Sequence, residues 1–236
     1  MNPALTIMLS VFRGFPSKRI PAYILAQILG AFIGTLLAFA IYRDAIYHLD
    51  GALLPDSTGQ YIYTQPKGWT TLRTAFFAEF LGTAVIGCCI MALGDSGNSP
   101  PGAGMHAFII GLLVTVCVMA FSEITHAAFN GARDLGARLA AIAVGYPLSI
   151  FTSHNNWWIW GPWCATITGA LTGALIYDLC IFKGRESPVN YSLTRWQVES
   201  LQTGSSLLRR VGLHRVADDN DRRVEEGKAS RESEEQ

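Results

Sequence analysis

The chain has 236 residues and no net charge, with 18 basic against 18 acidic side chains; half of it is hydrophobic and only 15% is charged. Ten side chains of each sign lie from Lys183 onward, so the first 182 residues hold just eight of each. A neutral chain with no basic face speaks against nucleic acid as a partner, and apolar runs with no polar stripe speak against a water-soluble helical bundle.

The chain opens with "NPALTIMLSVF" from Asn2. Asn is a strong helix N-cap, and Pro3 suits the first helical position, where its missing N–H costs nothing. About a dozen residues at 1.5 Å each fall well short of a hydrocarbon core roughly 30 Å thick. There is no basic n-region or small-residue cleavage site, so the segment is not read as a signal peptide. After Lys18 and Arg19 comes an apolar run over residues 21–42 that contains "GAFIG". A turn-rich loop (43–69) leads to a second run (72–93), and a Gly, Pro and Ser connector (94–104) leads to a third (105–124). Next is "AFNGARDLGARL", an Asn, two Arg and an Asp directly after twenty mostly apolar residues. An aromatic-rich stretch, "GYPLSIFTSHNNWW", then precedes a fourth run (157–182) that contains "GALTG".

Each run is long enough to span a membrane, which predicts an all-α, multi-pass membrane protein with four spans. Residues 183–236 mix both charges with few aromatics and read as a polar, disordered tail; within it "SLLRRVGLHRV" reads as solvated rather than as a surface helix. Four spans put both ends on one side, and Lys18, Arg19 and the charged tail favour the cytoplasm. The five Cys all lie in spans without metal-type spacing and read as small core residues.

The two short segments, "NPALTIMLSVF" and "NGARDLGARLAAIAV", form a pair. Each starts with an Asn cap, and each leads into a span carrying G-A-x-x-G, a pattern that lets membrane helices approach closely. Short helices at membrane depth are tolerated only where they are buried in protein or line a wet cavity. If they enter from opposite faces, Asn2 and Asn130 meet at the midplane and the two positive helix ends repel cations. Arg133, nearly one turn past Asn130, offers several donors to the same path, and Asp134 in the first turn suits the dipole and is placed to hold Arg133.

These residues resemble the major intrinsic protein family, the aquaporins and glycerol facilitators, and within it the fungal glycerol-conducting type. "NPALT" (Asn2, Pro3, Ala4) matches the first Asn-Pro-Ala half-helix, and "NGARD" (Asn130, Gly131, Ala132) looks like the second. "YILAQILGAFIG", "AFFAEFLGT", "GMHAFIIGLLVTV" and "GPWCATITGALTGALIYD" extend the match over residues 2–191. The resemblance implies an aquaporin-like right-handed helical bundle with two re-entrant half-helices, here with four full spans and with the first two family spans absent, so a channel domain over residues 1–182. It also implies a homotetramer in the plasma membrane, with a pore in each protomer and a cytoplasmic tail. By the same resemblance Arg133 marks the outer constriction, Val118 and Ala127 contribute to its wall, and Glu79 is a buried carboxylate supporting the re-entrant loop. Gly131 replaces the family's Pro, weakening the helix start by up to about 1 kcal/mol on propensity. Ala137 stands where a second Pro is usual. His126 replaces a small residue and Glu123 adds a charge, and outer solvent accounts for both.

The function implied is passive passage of glycerol, water and other small neutral solutes, without catalysis, cofactor or metal. The alternative is a non-conducting truncated member that at most associates with full-length channels. A broken-helix transporter would need an ion-coupling acid cluster, and an enzyme a nucleophile with its base; the sequence suggests neither.

Overall fold

A computed structural model describes residues 2–102, 104–184 and 187–189. The chain divides into two units, Met1–Asn190 and Tyr191–Gln236, and the second, which holds most of the expected tail, lies outside the described residues. The helices are α1 (Pro3–Arg13), α2 (Ile20–Leu49), α3 (Leu72–Leu93), α4 (Met105–Thr125), α5 (Gly131–Val144), α6 (Ser153–Ile159) and α7 (Thr166–Cys180). A π-helical turn, Trp160–Ala165, joins α6 to α7. Among the described residues, four helical stretches are long and apolar enough to cross a membrane: Ser17–Leu49, Leu72–Leu93, Met105–Thr125 and Ser153–Cys180.

Both half-helices begin at the expected Asn and end on a left-handed glycine, Gly14 (φ 70°) and Gly145 (φ 116°), where a side chain would be strained. α2 is longer than its apolar run. "RDAIYHL" contains no breaker, and Ile46 packs against the cluster of Leu53, Tyr146 and Ile150, so the helix continues to Leu49. Asp50 then ends it, its carboxylate accepting from the N–H groups of Ala52 (3.1 Å) and Leu54 (2.6 Å). The last span becomes right-handed at Trp157; His154, Asn155 and Asn156 before it are left-handed, with φ of 50–59°. The packed unit also runs past the expected boundary at 182, because Phe182 and Val189 pack on the α1–α7 core.

α3 and α7 form the centre. An added Cβ at Gly169 would sit 2.3 Å from the Phe80 carbonyl oxygen, and one at Gly173 would sit 2.0 Å from that of Ala84, so the "GALTG" glycines let two backbones touch. Each half-helix packs on the span of the opposite repeat. Met8 of α1 is fully buried with Ala170 and Ala174 of α7, while Gly136 of α5 meets Ala31 and the Ile28 carbonyl of α2. The C-terminal end of α1 is tied to α7 by a bidentate pair, Arg13 to Asp178 at 2.7 and 3.0 Å, with the guanidinium over the Phe182 ring. α2 differs from α7 in one respect: Gly30 and Gly34 have open space beside them. Cys117 is buried, Cys88, Cys89 and Cys164 are part-buried, and Cys180 is exposed, so only one of the five sits fully in a core.

The glycine environments give opposite expectations. Gly173→Ala forces α3 and α7 apart and lowers stability by about 1–3 kcal/mol, whereas Gly34→Ala meets nothing and gains up to about 1 kcal/mol in helix propensity. Thermal unfolding of the purified chain in detergent measures both; equal shifts would refute the packing described.

Candidate functional site: the meeting of two half-helices

The site is built by two similar caps. Asn2 is extended (φ −148°, ψ 124°), and its side-chain oxygen accepts from the N–H of Ala4 at 3.0 Å. Asn130 repeats this (φ −160°, ψ 106°), accepting from the N–H groups of Ala132 (3.1 Å) and Arg133 (3.2 Å). The amide nitrogen of Asn2 donates to the Phe129 carbonyl at 2.6 Å. That bond joins residues 127 apart in sequence and sets the start of one half-helix against the approach to the other.

The approach to Asn130 is strained. His126, Ala127 and Phe129 all have left-handed φ, between 47° and 65°, which costs about 1–3 kcal/mol per residue for side chains of this kind. Glu79, completely buried on α3, holds the turn. Its Oε1 accepts from the Thr125 hydroxyl (2.5 Å) and the Ala128 N–H (2.9 Å), and its Oε2 from the Phe129 N–H (2.8 Å). Gly82, one turn along α3, leaves room for the Phe129 ring, which would overlap any Cβ there.

Asp134 does not hold Arg133 and does not line a path; it is fully buried. Its Oδ1 accepts from the Thr64 N–H (2.7 Å) and hydroxyl (2.5 Å), and its Oδ2 from Nε of Arg138 (2.6 Å). The reason is helical: residues one apart diverge around the axis, whereas residues four apart share a face. Arg138 is also fully buried, donates to the carbonyls of Ile150 and Thr64, and lies 4.5 Å from the Tyr63 ring centroid. Sequence reasoning missed it, although an Asp-x-x-x-Arg pair inside a short, alanine-rich helix was a signal for a paired buried charge. Ala137, packed beside Tyr63 and Tyr146, closes the same cluster.

Arg133 stands apart from that buried pair. It lines a cavity of about 650 Å³ together with Ala31, Gly34 and Ala38 of α2 and Tyr61 and Ile62 of the following loop. One terminal guanidinium nitrogen is buried there without a protein partner. Val118 and Ala127 do not line this cavity. Val118 is 38% exposed on α4, a helix of which only Cys117 and Thr125 are buried, so its other faces are open. Ala127 is buried against Ile86, Cys117 and Phe129. His126 is half-buried, so outer solvent accounts only for Glu123, which is exposed.

Gly131 has a local cause. The Trp163 ring, set by the π-helical turn, lies over it, and an added Cβ would come within 2.6 Å of the indole. Pro3 of α1 faces no such obstacle and is buried in the first helical position.

Two Asn-capped half-helices meeting start to start, braced by a buried carboxylate within a set of apolar spans, define a membrane protein built as a re-entrant inverted repeat. The profile of the family described as "Major intrinsic protein" matches residues 1–177, and the chain belongs to that family. It is 51% identical over 197 residues to Aquaglyceroporin-4 of Botryotinia fuckeliana, covering 83% of this chain and 27% of that protein. It is 46% identical over 193 residues to an aquaglycerol porin of Saccharomyces cerevisiae, covering 81% and 30%. The chain thus spans less than a third of the length of these two relatives. The X-ray structure of the aquaglyceroporin from Plasmodium falciparum superposes with a TM-score of 0.67 at 28% identity, covering 76% of this chain and 72% of that one.

Two pairs of substitutions test the site. Arg138→Met leaves the Asp134 carboxylate buried without its ionic partner and is expected to cost about 3–5 kcal/mol, while Asp134→Leu with Arg138→Met removes the lone charge and recovers only part of the loss, since Thr64 then lacks its acceptor; thermal unfolding of single and double variants decides it. Gly131→Pro collides with Trp163 and is destabilising on its own, yet becomes neutral or stabilising when combined with Trp163→Ala.

Proposed function

We propose that the chain forms a passive transmembrane path for glycerol and other small neutral solutes, water included. The observation that carries this reading is the Asn2–Phe129 bond, which brings the positive ends of α1 and α5 together. Opposed positive ends raise the energy of any cation between them, while a neutral polyol meets amide donors at no electrostatic cost. An Asn amide has two N–H groups; with one on the Phe129 carbonyl, Asn2 keeps a second for a passing hydroxyl. The partner-free nitrogen of Arg133 supplies a donor at the mouth, opposite the small, apolar face formed by Ala31, Gly34 and Ala38. Donors on one side and a smooth apolar wall on the other suit a molecule with hydroxyls along one edge and carbon along the other.

The relatives named aquaglyceroporin support glycerol over water alone as the solute. With this reading go a homotetramer in the plasma membrane, a channel domain over residues 1–182 and a cytoplasmic tail over residues 183–236, supported by the basic pair Lys18 and Arg19 beside the first span. Val118 and Ala127 belong to the outer wall in this reading by family position.

Glycerol uptake by yeast expressing the full chain, with osmotic swelling of proteoliposomes as a second readout, tests it. Flux above the vector control is expected, and Glu79→Ala abolishes it by freeing the strained turn. Confirmed surface protein with no flux above control would refute the channel.

A further inference from the structure

His126 links the parts that surround Arg133. It caps α4 in the left-handed region (φ 65°), its N–H donating to the Ser122 carbonyl at 2.8 Å. Its ring stands edge-on to Tyr61, centroids 6.5 Å apart, and Tyr61 also lines the cavity that holds Arg133. A single side chain therefore touches both the imidazole and the mouth. His126 also lines a second, polar cavity of about 260 Å³ with Asp56, Gln60, Gln65, Lys67 and His154. The loop forming this cavity is fastened to the end of α4 by the Lys67 N–H on the Ile124 carbonyl (3.1 Å), and to itself by the Lys67 ammonium on Gln60 (3.2 Å). Nδ1 of His126 is buried without a partner.

We propose that His126 is a proton-responsive positioning residue. When neutral it packs Tyr61 and the 60–67 loop around Arg133; when charged it loosens that packing and lowers solute passage.

The charges around it set the direction. From the loop it faces Lys67, Asp56 and the Tyr61 phenol; from α4, Glu123; from α5, Arg133; and from the segment before the last span, His154. Burial pushes the imidazole below its ordinary range and Lys67 adds to this; a backbone contact with Gln65 opposes, Arg133 lowers it further, and Glu123 opposes again. The net shift is downward. A His whose folded value is lowered binds fewer protons folded than unfolded, so its contribution is complete above the ordinary His range and is lost as pH falls through the folded value. Loss below the ordinary range places the response on the acid side, where a third positive charge joins Lys67 and Arg133.

The inference rests on the proposed channel, so the test has two arms. In proteoliposomes carrying the full chain, glycerol flux at pH 5 is expected to be at least about twofold below flux at pH 7.5. His126→Asn, which suits a left-handed position and does not titrate, gives the same flux at both pH values; His154→Gln keeps the difference. Measurable flux that is independent of pH, or a pH dependence that survives His126→Asn, overturns the proposal. The second arm needs no flux: histidine-selective NMR of the full chain in nanodiscs, with the His126 signal identified by its loss in His126→Asn, together with hydrogen exchange of residues 60–67. Titration below the ordinary His range, with faster exchange of the loop over the same pH interval, supports the proposal even if no flux is found. An imidazole titrating as in free solution, or a loop whose exchange ignores that titration, overturns it.

Discussion

A peptide backbone that turns back within a membrane must find its hydrogen-bond partners inside the protein, since hydrocarbon offers none and each unmet group costs several kcal/mol. In this chain Glu79 meets that demand. Its two oxygens accept three hydrogen bonds from the turn before Asn130, two of them from backbone N–H groups that the left-handed residues leave without helical partners. The conformation of the turn that leads into α5 rests on this one carboxylate. Burying a carboxyl group at the middle of a span is expensive, and here the expense is offset by holding a conformation that no run of ordinary residues would keep.

The half-helices are also held by a different device, ion pairs, at the C-terminal end of α1 and in the first half of α5. Arg13 with Asp178 fixes α1 to α7, and Asp134 with Arg138 fixes α5 to the loop around Thr64 and to the Ile150 carbonyl. A paired buried charge contributes little net stability compared with a good apolar contact, but breaking it is severe, so such pairs favour one arrangement over its neighbours. Each half-helix is thus defined at two points: an Asn cap where it meets its partner, and an ion pair further along, at Arg13 in α1 and at Asp134 and Arg138 in α5. The rest of its surface is small and apolar and slides into place between them.

Much of this was legible in the sequence because it is local. The lengths of the apolar runs gave the spans, and the caps at Asn2 and Asn130 gave the half-helix starts to the residue, since a cap acts on the two or three residues after it. What the sequence hid was long-range. Thr64 and Asp134 are 70 residues apart, and nothing near Asp134 except the spacing to Arg138 hints that its carboxylate turns away from Arg133. The extension of α2 through Leu49 was hidden because charged residues that read as loop are good helix formers when a loop packs beside them. The left-handed turn at His154–Asn156 falls on residue types that favour that region, whereas the π-helical turn after it has no compositional mark. His126 was noticed only as a departure and placed in solvent, because its burial depends on Tyr61 and Gln65 from a loop some 60 residues earlier.

The indole of Trp163 over Gly131 also bears on how the two ends of the fold depend on one another. With the indole in place, even a single carbon added at 131 meets the ring, so any side chain there forces the aromatic to shift. The start of α5 and the π-helical turn before α7 are therefore set together, and a change at either is felt at the other.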